Sequence, residues 1–158
     1  MQILSAQEAL FVACEMERGA IQLYERAICL MEELGRNDEP LYGNLRDMAG
    51  DESHHLQQFQ ELYHGLDAGA ERTLLLSAVA DGLLMEGGLM GAVRLGLLNS
   101  VEDMLRYAEE REAKAVETYH LFAERSRDEQ AKKTLVLIAA EEERHLAEIR
   151  SKNRGTTD

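Results

Sequence analysis

Two Glu-x-x-His pairs, Glu52 with His55 and Glu142 with His145, stand 90 residues apart in a chain of 158. A Glu and a His three positions apart project from the same side of a helix. If that side faces inward, the packing must satisfy a carboxylate and an imidazole away from water, which tightly limits what can surround them. The spacing alone selects nothing, because the chain holds 22 glutamates and four of its five histidines have a glutamate three residues before them. Helical phase separates the pairs. At about 100° per residue, Glu61 lies roughly 180° round its helix from Glu52, and Glu117 roughly 140° from Glu112. The pairs Glu61/His64 and Glu117/His120 are therefore expected on solvated faces.

The residues around these pairs read as four long helices. Ser5 with Glu8 forms a capping box, and Leu10, Ala13, Cys14, Glu17, Ala20, Tyr24, Ala27 and Met31 mark one face of a first helix stopping near Gly35. Asp38 with Pro40 opens a second, whose face carries Leu45, Met48, Glu52, His55, Phe59 and Leu62, ending near Gly65. Ser100 with Asp103 opens a third, with Leu105, Ala108, Glu109, Glu112, Val116, Tyr119 and Phe122 along one side. Asp128 opens a fourth, with Leu135, Ile138, Glu142, His145 and Ile149 on one face before Gly155 and a polar tail. The expected fold is all-α: a four-helix bundle of two antiparallel hairpins, with short joins at 35–38 and 126–128. Residues 65–100 then form a long crossover that makes the second and third helices parallel. A short helix is expected within it around Leu74 to Leu84. The small, apolar stretch Gly87 to Leu98 suits packing across the bundle or a subunit contact.

Composition narrows the classes of function. The length suits one domain over residues 1–158, and 45% hydrophobic with 30% charged residues is ordinary for a helical protein with a single core. A formal net charge of −13 repels nucleic acid and anionic membrane alike. The most apolar stretch, Leu74 to Leu98, is interrupted by Asp81, Glu86, Arg94 and five glycines, which makes it a poor membrane span. Cys14 and Cys29 on one helix would lie about 22 Å apart, beyond the reach of a disulfide. No Cys-x-x-Cys occurs, which excludes a four-cysteine metal site within the chain. No export signal is evident, and reduced thiols in the cytoplasm are the expectation.

The acidic residues within the apolar stripes carry the chemistry. Glu17, Glu52, Glu109, Glu112 and Glu142 fall inside those stripes, whereas Glu110, Glu141 and Glu143 fall outside or at their edges. Bare, these carboxylates would repel one another strongly in one dry site. Two divalent cations remove most of that penalty, and oxygen-rich ligation with one imidazole per metal suits iron, or manganese, better than zinc. The expected roles are bridging for Glu52 and Glu142, terminal nitrogen ligation for His55 and His145, and terminal carboxylates from Glu17 and Glu109. Glu112 is an additional carboxylate suited to bind when oxidation state or an incoming ligand changes the charge required, and is the candidate catalytic residue. Tyr24 and Tyr119, seven residues after Glu17 and Glu112, suit hydrogen bonds to the ligands. The plainer reading is a set of Glu-rich helices with the acids in water and the tyrosines simply in the core.

With these residues in place the chain resembles the ferritin-like superfamily, and within it the di-iron domain of rubrerythrins. The resemblance rests on Glu17 with Tyr24 (ERGAIQLY), Glu52 with His55 (ESHH), Glu109 with Glu112 (EERE) and Glu142 with His145 (EERH). It implies two iron ions, with peroxide or oxygen as oxidant. Rubrerythrins also carry a rubredoxin-like four-cysteine module that this chain lacks, so electrons would come from a separate donor such as a rubredoxin-like protein. A di-iron oxidoreductase working as a homodimer is the first expectation. An iron-oxidising or iron-storing protein is the second, and a helical interaction module with a vestigial site the third.

Overall fold

The structure is a computed structural model that describes residues 5–85 and 87–155. Among the described residues every regular element is a helix: α1 (Ala6–Glu33), α2 (Pro40–Leu62), α3 (Ala68–Ala80), α4 (Gly88–Arg94), α5 (Val101–Arg125) and α6 (Glu129–Gly155). The chain is all-α, as the stripes imply.

The ends of the long helices follow local chemistry. The Ser5 side chain accepts from Glu8 N–H at the start of α1, and the Ser100 side chain accepts from Asp103 N–H at the start of α5. Asp128 Oδ1 accepts from Ala131 N–H at 2.9 Å and caps α6. At α2 the cap position belongs to Glu39 rather than Asp38; Pro40 fixes the first helical residue, and no side chain caps the turn. After α1, Gly35 takes φ +68°, a left-handed conformation that favours glycine at a helix stop.

The crossover holds two short helices where one was expected. Asp67 Oδ1 accepts from Ala70 N–H and so starts α3 at Ala68, six residues before Leu74. Gly82, at φ +75°, ends it, with Leu83 N–H bonded back to Ala78 O at 2.9 Å. Beyond the turn, α4 buries Ala92, and the following loop buries Leu98, while Met90 and Leu95 remain exposed.

α1 packs along α2 and α5 along α6, while α1 also meets α5, and α2 meets α6. The contacts place two apolar clusters on either side of a polar layer. One joins Leu10, Phe11 and Met16 of α1 to Phe59, Tyr119, Phe122, Leu135 and Ile138. The other joins Leu23, Tyr24 and Met31 of α1 to Leu45, Met48, Met104, Leu105 and Ile149. Phe59 and Tyr119 meet edge-on, with ring centroids 5.4 Å apart. Large side chains buried to this extent contribute roughly 1.5–3 kcal/mol each. Glu17 on α1, Glu52 and His55 on α2, Glu112 on α5, and Glu142 and His145 on α6 fall between the positions that feed the two clusters.

Candidate metal centre

Glu17 from α1, Glu52 and His55 from α2, Glu112 from α5, and Glu142 and His145 from α6 converge in that layer. All six are at most 3% exposed. They form two overlapping groups, Glu17/Glu52/His55/Glu142 and Glu52/Glu112/Glu142/His145, with the candidate ligand atoms of each lying within 4.8 Å of one another. Glu52 and Glu142 belong to both groups, the position a bridging carboxylate requires.

The hydrogen bonding identifies which atoms are left for a ligand. Among the described residues, eight buried side-chain N or O atoms lack a hydrogen-bond partner, and six of them are one atom from each of these six side chains. His55 Nδ1 lies 2.8 Å from Glu142 Oε1, and His145 Nδ1 lies 2.8 Å from Glu52 Oε1, yet neither contact has hydrogen-bond geometry. The candidate ligand atoms of each group are close enough together to share one cation. Adjacent ligands about 2.1 Å from a small divalent cation are separated by roughly 3 Å, so the spacing fits metal coordination.

The outward atoms are anchored in a reciprocal pattern. His55 Nε2 faces Glu141 of α6, while His145 Nε2 lies 2.9 Å from Asp51 Oδ2 of α2. A carboxylate only accepts, so each Nε2 carries the proton, and in the neutral ring Nδ1 presents its lone pair to the layer. Tyr24 OH donates to Glu112 Oε1 at 2.5 Å, and Tyr119 OH donates to Glu17 Oε1 at 2.8 Å. Each half of the chain thus orients the candidate ligands of the other, and the carboxylates behind His55 and His145 raise the basicity of their inner nitrogens.

Electrostatics in the metal-free protein follow from this crowding. Burial, then repulsion from Glu17, Glu142 and Glu112, raises the Glu52 carboxyl well above the usual range. Burial and the neighbouring Glu17 and Glu112 do the same to Glu142. For Glu112 burial acts upward, but the neighbouring Glu142 and His145 and the hydrogen bond from Tyr24 outweigh it and hold its carboxyl below the usual value. Burial opposes charge on His55, yet Glu142 and Glu17 push the imidazole up to about 11. Burial likewise opposes charge on His145, and Glu112 and Glu142 push it up to about 11. Protons therefore do the balancing that cations would do in a loaded site.

Glu109 stands apart from the other sequence candidates. Its carboxylate accepts from Arg150 Nε at 3.2 Å and from Asn153 Nδ2 at 3.1 Å, and it is not in either group. Glu112, 60° round the helix, occupies the inward place instead. Glu61, His64, Glu117 and His120 are exposed, in keeping with their helical phase. Asp51 and Glu141 were not anticipated. Each sits directly before a candidate bridging glutamate, and that adjacency in both halves is the one sequence signal they leave. Cys14 is buried in the first apolar cluster, where burial raises its thiol to about 11, and Cys29 is exposed; both are free.

Comparison with protein-family models, with curated proteins and with solved structures finds no match to this chain. Among the described residues no helix is long and apolar enough to cross a membrane.

Proposed function

We propose that the chain is a ferritin-like four-helix bundle built around a pair of iron ions, with manganese the other metal the donor set suits. In this reading it is an oxidoreductase that delivers two electrons to hydrogen peroxide or oxygen. The observation that carries it is the pair of overlapping groups sharing Glu52 and Glu142, with one unpartnered buried atom on each of six side chains. The bundle reading is supported by bonds across the long helices. Gln7, early in α1, bonds to Leu62 and His64 at the end of α2, and Asn153, late in α6, bonds to Leu105 and Glu109, early in α5. The Tyr24–Glu112 and Tyr119–Glu17 bonds run α1 against α5 in the same opposed sense.

Glu52 and Glu142 would be shared between the two ions, with His55 and Glu17 holding one and His145 and Glu112 holding the other. When bound, the metals supply the electrons and Lewis acidity. The side chains fix the spacing, and Tyr24 and Tyr119 hold the terminal carboxylates through hydrogen bonds that tolerate a change in metal charge. Peroxide reduction consumes two electrons and two protons per molecule to give two waters, so a separate electron donor is required. A homodimer is the assembly proposed.

The test is metal content on protein produced with iron, followed by anaerobic reduction and mixing with peroxide or oxygen. About two irons per chain, reoxidised faster by peroxide than by oxygen, is the expected result. Faster oxygen turnover with continued iron uptake by a large hollow assembly would favour iron storage. No bound metal after reconstitution would overturn the reading.

A further inference from the structure

Arg111, the residue before Glu112, lies outside the candidate ligand set but at its edge. Its Nη1 donates to Leu83 O in the turn after α3 at 2.7 Å, and Nη2 donates to Met16 O of α1 at 3.2 Å. A Cβ at Gly19 would approach Nη2 to 3.2 Å, so the bare glycine gives the guanidinium its seat against α1. On one side Arg111 lines a cavity of about 10 Å³ with Glu17, Glu52, Glu112, Glu142 and Tyr119. That is about the space of one water. On the other it lines an open groove of about 380 Å³ with Gly82, Leu84, Tyr107, Glu110 and Lys114. Among the described residues Arg111 alone lines both.

We propose that Arg111 is the plug of a passage through the α1–α5 seam and limits access to the carboxylate layer to small uncharged molecules. The inference rests on the metal-site reading for its purpose, since small oxidants of that class would use the passage. Its two anchors are backbone carbonyls, which a guanidinium on a flexible stem exchanges for water without moving a helix. The guanidinium at the mouth repels cations, and entry to a dry layer costs any ion its hydration, leaving a neutral molecule of a few atoms as the species least opposed.

The test is performed on metal-free full-length protein carrying Cys14→Ala and Cys29→Ser, with Ala115→Cys as reporter, because Ala115 lines the inner cavity. The probes are methyl methanethiosulfonate, which is neutral, and its cationic aminoethyl analogue, with rates referred to the thiolate fraction from a pH–rate profile. Arg111→Met is expected to speed labelling by about tenfold or more, the scale of one charged hydrogen bond, and to narrow the preference for the neutral probe. Arg144→Ala, at a residue lining a separate groove between α2 and α6, is expected to leave the rate unchanged. An unchanged rate on Arg111→Met, or acceleration by Arg144→Ala instead, would overturn the proposal. Helical circular dichroism checks folding; should Arg111→Met not fold, Arg111→Lys retains the charge but loses the fork and must still accelerate labelling. Metal content is measured separately on the unlabelled protein. Absence of metal would sink the functional reading while leaving the labelling comparison intact.

Discussion

At the scale of single residues, the site is a problem of unsatisfied atoms. Asp51 and Glu141 hold the outer nitrogens of His145 and His55, so in the proposed site their charge would set how strongly each Nδ1 binds a cation. Asp51→Asn should lower metal affinity by about 10- to 100-fold without unfolding the protein, measured by competition with a chelator of known affinity. Glu52→Ala or Glu142→Ala should remove both metals, because each belongs to both groups, whereas Glu61→Ala should change neither metal content nor activity. Equal loss on Glu61→Ala would refute the phase argument. Phase was enough to separate Glu52 from Glu61, which differ by half a turn of the helix. It placed both Glu109 and Glu112, about 60° apart, among the expected ligands, and only Glu112 joins the buried groups. The deciding factor is tertiary: Arg150 and Asn153 of α6 draw the Glu109 carboxylate away. Asp51 and Glu141 were hidden for a related reason, since each serves a histidine on the neighbouring helix.

At the scale of elements, the four long helices were legible because each carries an apolar stripe and a marked start, a capping side chain in α1, α5 and α6 and Pro40 in α2. Ser100 shows the weight of one cap. Its Oγ accepts from Asp103 N–H at 3.0 Å where the crossover turns into α5, the helix that carries Glu112. Ser100→Ala should cost about 1 kcal/mol, read from urea unfolding monitored by circular dichroism. A loss below a few tenths would mean that packing, not the cap, fixes the start of α5. The crossover was less legible. Ala68–Ala80 has apolar residues around much of its circumference, so periodicity gives no boundary, and Asp67 and Gly82 set its limits instead. The stretch Gly87 to Leu98 divides between buried Ala92 and Leu98 and exposed Met90 and Leu95, a split decided by where the turn after α3 delivers the chain.

At the scale of the whole molecule, the buried layer makes stability depend on pH in a direction that metal should abolish. Glu52 and Glu142 hold protons well above the 4.5 of an ordinary glutamate, and His55 and His145 hold theirs to about 11 against an ordinary 6.5. Each group therefore binds its proton more tightly folded than unfolded. The stabilisation is complete below the unfolded value and declines as pH rises toward the folded one. Glu112 has the opposite shift, but its contribution is lost only as pH falls below the ordinary carboxylate value, outside the range that matters here. Between about pH 5.5 and about pH 8.5 the melting temperature of the metal-free protein should accordingly fall. Cations that replace those protons remove the dependence, and they bind more tightly as pH rises because fewer protons compete. The melting temperature of the iron-loaded protein should stay nearly level, and the gap between the two forms should widen toward alkaline pH. Parallel slopes in parallel calorimetric scans would mean that the six inward-facing side chains do not exchange protons for metal. The balance of charge in the layer would then have to come from elsewhere in the chain.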